Sequence, residues 1–247
     1  MDRQQRLKYT LYRRAKVIRV LGLLVNILLG AFALTVLCGI VGATEEKWFH
    51  RQNNLLSILC LIGFFTSTLG IIFSSGVLYF ALIQPVLKRL AKELQAGDFM
   101  LVGPIALLLK EAFAFPTATP GVPPEFLTRW TSLMLQVQSP QQVVLTKEEK
   151  EAMEFLLSKM ELYRGYRAAQ HRQEGFETAE VIFQNAIAPS LLHALSILGD
   201  NETRICFRDY MLRTSDKRLQ ELALESLQAL EQRLGVHSSL EPEEPSA

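Results

Sequence analysis

The sequence predicts an all-α protein: a two-helix transmembrane hairpin followed by a cytoplasmic α-helical domain. Three observations predict it. Two long runs before residue 88 carry no charge, helical periodicity with capping signals runs from about 125 to 235, and no stretch alternates as a strand would. The averages hide this division. Of 247 residues, 49% are hydrophobic and 21% charged, with a formal net charge of +1, so no basic excess points to a nucleic-acid partner.

The first apolar block, VLGLLVNILLGAFALTVLCGIVGA, spans 20–43. At about 1.5 Å per residue it is long enough for a hydrocarbon core of roughly 30 Å. Val41-Gly42-Ala43 would suit a signal peptidase, but the apolar region is longer than a leader needs and a long basic segment precedes it. An uncleaved anchor is the reading adopted. The second block, 55–87, would be about 50 Å long as one helix, so it outruns the bilayer. Its span is placed at 55–80, with an exterior loop at 44–54.

Orientation is set by the flanks. Arg3, Arg6, Lys8, Arg13, Arg14, Lys16 and Arg19 precede the first span, opposed only by Asp2, and Lys88, Arg89 and Lys92 come after the second. The loop TEEKWFHRQNN has no positive excess, so both termini are expected in the cytoplasm, at an inner, plasma or organellar inner membrane. Trp48 and Phe49 suit the headgroup level.

Within the second span Gly63, Ser67, Gly70 and Ser74 share one helical face at spacings of four, three and four. Small residues let backbones approach, either within the hairpin or against another membrane subunit. Neither span holds an Asp, Glu, Lys, Arg or His, which argues against an ion or proton pathway. Asn26 is the one strongly polar side chain of the first.

Past the membrane, Ile83, Leu87, Leu90 and Leu94 keep the spacing of a coiled-coil seam, with Pro85 placed to kink it. The run QPVLKRLAKELQAGDF resembles the opening of a HAMP signalling linker in Pro85, Gly97 and Asp98. The resemblance covers about fifteen residues, and the next stretch, MLVGPIALLLKEAFAF, is not a second HAMP helix. It implies a membrane signalling component. Juxtamembrane helices are placed at 88–115, the second half mainly apolar and either buried or along the membrane surface. FPTATPGVPP breaks the chain, giving a proline-rich linker at 116–124.

The helical domain is placed at 125–236, beginning with a short helix from Glu125 to Val137 and a break at SPQQ. Thr146 with Glu149 reads as a capping box, opening a helix that places Met153, Leu156, Met160 and Tyr163 on one face. Val181, Phe183 and Ile187 mark another helix, with Pro189 ending it or beginning the next. Leu191, Leu192, Leu195 and Leu198 mark a third, closed by Gly199-Asp200. Thr214-Ser215-Asp216 supplies an N-cap cluster for the last helix. In DKRLQELALESLQAL, Asp216, Leu219, Ala223, Leu227 and Leu230 resemble the second helix of a HEAT or armadillo repeat, and Asp200, Thr203, Phe207 and Met211 stand at like offsets sixteen residues earlier. That resemblance implies stacked helices presenting a surface to a protein partner; an irregular helical bundle fits the same pattern. The tail, 237–247, is acidic and expected to be disordered.

Chemistry is not legible. There is no phosphate loop, nucleophile elbow, metal motif or suggestive carboxylate pair, so catalytic, cofactor and metal residues are none. Cys38, Cys60 and Cys206 read as buried thiols, and His193 as a satisfied core or groove residue. Arg164, Arg167 and Arg172 form a candidate partner surface or a solvated helix face. The expectation is a non-enzymatic membrane-anchored interaction protein. A signalling component and an accessory subunit of a transporter or assembly complex are the alternatives.

Overall fold

The computed structural model describes residues 2–44, 62–70, 72, 78–114, 122–158 and 186–236, and among them every regular element is helical. Helix α1 is Arg3–Thr44, and a further helical stretch covers 62–70. A π-helical segment, Leu78–Ile83, runs straight into α2, Gln84–Glu93. Then come α3 (Val102–Phe113), α4 (Pro124–Leu135), α5 (Lys147–Ser158), α6 (Ala188–Leu198), α7 (Asn201–Arg213) and α8 (Lys217–Leu234). The expected helix over 99–115 is divided, with a 3-10 turn at Phe99–Leu101 before α3.

Helix α1 is one uninterrupted rod of about 63 Å. Leu7, Leu11, Ala15 and Ile18 lie four, four and three residues apart and are all buried. The basic segment is therefore five turns of a helix with one face in the protein core. Beyond it the rod changes character. Leu23, Leu24, Ile27, Leu34 and Leu37 are all exposed. Arg3–Leu37 is the one helix among the described residues that is long and apolar enough to cross a membrane.

The core is one cluster running from Leu7 to Leu230. Helix α3 sits at its centre, buried on nearly every side, against α1 and α5. Of the two sites expected for this segment, burial in the protein is the one observed. Gly103 permits the close α3–α5 approach: a Cβ there would lie 2.7 Å from Glu149 Cδ and Leu145 Cδ2. The seam of Ile83, Leu87, Leu90 and Leu94 is buried, in the same cluster as the α1 stripe. Helix α6 packs on α4, α5 and α8, and α7 on α8 and α5.

The helix ends are fixed by local chemistry. The Thr146 hydroxyl accepts the Glu149 N–H at 3.3 Å while Glu149 Oε2 accepts the Thr146 N–H at 2.7 Å, a complete capping box. Asp216 caps α8 by accepting from Arg218 N at 2.9 Å, and Pro189 begins α6. Gly235 ends α8 at φ +67°, the left-handed conformation glycine adopts without penalty.

Replacing Gly103 with Val forces α3 and α5 apart against side chains already locked by the capping box. The expected loss is about 1–3 kcal/mol, the range for overpacking a filled core, read from denaturant unfolding of the detergent-solubilised chain.

Candidate functional site

Buried polar contacts among the described residues line the face along which the basic first five turns of α1 meet the helical body. Three buried or nearly buried acids, on three different elements, are each met by a residue of α1. Asp98 receives Arg3 Nη2 at 2.5 Å and Gln4 Nε2 at 2.7 Å. Glu149 accepts from the Tyr12 hydroxyl at 2.6 Å. Glu111 Oε1 accepts Arg19 Nη2 at 2.8 Å and Nε at 3.0 Å. Burial, and after it the bond to Glu149, pushes the Tyr12 hydroxyl up to about 12, so it remains a donor at any physiological pH.

Asp98 also organises the turn that ends α2. Its carboxylate accepts the Gln95 N–H at 3.0 Å, and Gly97 beside it turns at φ +91°. The last carbonyls of α2 are met by arginines: Arg3 Nη1 donates to Glu93 O at 3.2 Å, and Arg129 Nη1 to Leu94 O at 3.0 Å. Cations there complement the negative end of the helix dipole.

A second tie lies nearer the apolar stem. Pro85 has no N–H, so the carbonyl of Ala81, four residues earlier, lacks its α-helical donor. The chain is π-helical there, and Arg14 Nη1 donates to that carbonyl at 3.1 Å. The proline thus produces no break: the helix continues from Leu78 to Glu93.

Of the small-residue stripe, Gly63, Ser67 and Gly70 lie in the 62–70 helix. A Cβ on Gly63 would stand 3.1 Å from Thr35 Cγ2, and one on Gly70 3.0 Å from Leu28 Cδ1. Phe32 and Phe64 contact each other with centroids 4.9 Å apart, and Ser67 is buried, its hydroxyl donating to the Gly63 carbonyl. These glycines face α1. Ser74, Arg164, Arg167 and Arg172 lie outside the described residues, as do most of the proposed loop and linker and the whole tail.

A cleft of about 870 Å³ separates α5 from α7, walled by Phe155, Ile205, Cys206 and Tyr210 and edged by Glu154 and Asp209. Burial, with Glu154 and Asp209 adding to it, raises the Cys206 thiol to about 12, so it offers no thiolate at neutral pH. Burial also raises the Glu154 carboxyl, against the 2.6 Å bond it accepts from Thr203 Oγ1. Lys150, largely buried, joins α5 to α7 through Asp200 and through Glu202 at 3.1 Å. His193 Nε2 donates to the Val137 carbonyl at 3.0 Å. Among the described residues no three His, Cys, Asp or Glu are grouped as a metal would require.

Comparison of the chain with protein-family models, with curated proteins and with solved structures finds no match. The site is therefore read from its own geometry. Sequence reasoning passes over Glu111 and gives Asp98 and Arg14 other roles. A lone acid within the apolar run VGPIALLLKEAFAF is the available signal for Glu111, because a buried carboxylate requires a partner.

The Arg14 bond to Ala81 exists because of Pro85, and a double-mutant cycle reads that dependence. Arg14→Gln is expected to cost about 0.5–1 kcal/mol in the native chain and close to nothing in Pro85→Ala, where residue 85 regains its N–H. Thermal melts of the four proteins in one detergent measure the difference.

Proposed function

We propose that this chain is a non-enzymatic, membrane-anchored interaction protein whose cytoplasmic helical domain holds a protein partner. One observation carries the reading: α1 contributes core residues to the helical body and continues unbroken into an exposed apolar rod. A cleaved leader does not fit, since Leu7, Leu11, Ala15 and Ile18 would be lost from the core with it. Nor does a soluble core helix, since Leu23, Ile27, Leu34 and Leu37 face outward. The anchor is read as a hairpin with both termini cytoplasmic. The 62–70 helix lies against α1, and the basic flanks point the same way. The HEAT-like or irregular packing of α6, α7 and α8 supplies the partner-binding face.

A second reading, a signalling component, is favoured by one feature. The helix continues through Pro85 from Leu78 to Glu93, so movement arriving at Leu78 would reach the helical body without a break at the proline. An accessory subunit is favoured less, because Gly63 and Gly70 are already occupied by Thr35 and Leu28.

Alkaline carbonate washing and then mild detergent extraction test the proposal. The chain is expected to stay in the membrane pellet and then to purify with a near-equimolar protein whose crosslinks map to 125–236. Gly63→Leu with Gly70→Leu is expected to loosen the stem and leave that protein bound. Recovery of the bare chain would remove the scaffold reading, and loss of the partner from the glycine variant would favour the accessory subunit.

A further inference from the structure

We propose that the cationic end of one exposed stripe of α1, with the cleft beside it, binds the headgroup phosphate of an anionic phospholipid. This rests on the membrane-anchored reading above and adds a lipid site to it.

Residues 9, 13, 16, 20, 23 and 27 repeat at four, three, four, three and four, so they form one line along α1. They read Tyr, Arg, Lys, Val, Leu, Ile, and every one is exposed. Val20, Leu23 and Ile27 are 51%, 62% and 60% accessible. The stripe therefore passes from cationic to apolar within one turn. Lys16 stands about 6 Å below Val20 along the axis and Arg13 about 10 Å. The headgroup layer is roughly 5–7 Å deep on each side of the hydrocarbon, so Lys16 falls within it. Arg13 lies one turn further toward the helix N-terminus and lines the same cleft as Lys16.

The four cations between residues 13 and 19 divide by partner. Arg14 is engaged by the Ala81 carbonyl and Arg19 by Glu111, with Glu148 also 3.5 Å from Arg19. Arg13 and Lys16 have no hydrogen-bond or ion-pair partner among the described residues. They flank a cleft of about 690 Å³, whose other walls include Val20 and Leu107, with Glu148 on the rim. Glu111 offsets Arg19, which leaves Arg13 and Lys16 against the single carboxylate of Glu148, a net positive charge in the cleft. A phosphate satisfies both. A zwitterionic lipid would bring its own ammonium against them, so the geometry selects a net-negative headgroup. The apolar continuation through Val20, Leu23 and Ile27 takes an acyl chain, which free phosphate lacks.

The test uses the full chain in mild detergent, with native mass spectrometry after adding phosphatidylglycerol or phosphatidylcholine at equal concentration. Retained phosphatidylglycerol is expected to exceed phosphatidylcholine. Arg13→Gln with Lys16→Gln is expected to lower it roughly fivefold for each charge removed, at an unchanged melting temperature. Lys217→Gln with Arg218→Gln, exposed cations on α8, is the control and is expected to change nothing. Equal retention of the two lipids, or undiminished phosphatidylglycerol on the double variant, overturns the headgroup site. Full displacement by excess inorganic phosphate overturns the lipid assignment in favour of free phosphate. Parallel carbonate washing separates the lipid site from the anchor. A pellet-bound chain that fails the lipid test loses only this site, whereas a chain released by carbonate loses the membrane anchor and the site together.

Discussion

A single uninterrupted helix has to satisfy two surroundings, and the arrangement of the rest depends on how it does so. Over its first five turns α1 buries Leu7, Leu11, Ala15 and Ile18 in the body of the protein. Between Val20 and Leu37 it presents apolar side chains outward, Val20, Leu23, Leu24, Ile27, Leu34 and Leu37 among them. Because no break separates the two halves, the rotation fixed by the buried stripe also fixes which residues of the stem face which way. The 62–70 helix then meets α1 at Thr35, Phe32 and Leu28 rather than at an arbitrary face.

The apolar stripe alone would not hold α1 in one register, because leucines one turn apart are interchangeable. The polar contacts are not. Asp98, Glu149 and Glu111 are buried or nearly so and are answered by Arg3 with Gln4, by Tyr12 and by Arg19. A slip of one turn would strand all three acids, at a cost of several kcal/mol in total, since an unpaired buried polar group costs about 1–3 kcal/mol and a charged one more. Buried ion pairs contribute little net stability against an apolar substitute but penalise wrong arrangements heavily. Here they set the axial position of α1 on the helical body.

This division explains which features are legible in the sequence. The capping box of Thr146 and Glu149 and the N-cap at Asp216 are legible because each is decided within four residues, whereas Pro189 marks a helix boundary in the sequence and only the structure makes it a start. The helical class is legible for the same reason. The role of residues 3–19 is harder to see. Seven cations draw the reading toward orientation, while the spacing of Leu7, Leu11, Ala15 and Ile18, equally visible, marks a buried face. The contacts of Asp98 are out of reach: Gly97 and Asp98 stand out as a pattern, but the Asp98 partners Arg3 and Gln4 lie more than ninety residues away. Glu149 carries both kinds of information. One oxygen closes a local cap and the other takes the distant Tyr12 hydroxyl.

Anchoring and signalling place different demands on the same junction. Helix α1 and the helix running from Leu78 to Glu93 are tied at two heights, by Arg14 on the Ala81 carbonyl and by Arg3 on Asp98 and Glu93 O, with a leucine seam between. A passive anchor needs both ties intact. A relay needs one of them to yield before the seam does. The upper tie is the weaker by its chemistry: one exposed bond to a neutral carbonyl, set in a π-helical segment, against a charge-assisted pair on a buried carboxylate. Any displacement of the second helix along its axis would therefore be taken up between Leu78 and Pro85, above the clasp at Asp98. The body below would keep its hold on α1, so such a displacement would arrive there as a change in the angle of α2 rather than as unfolding.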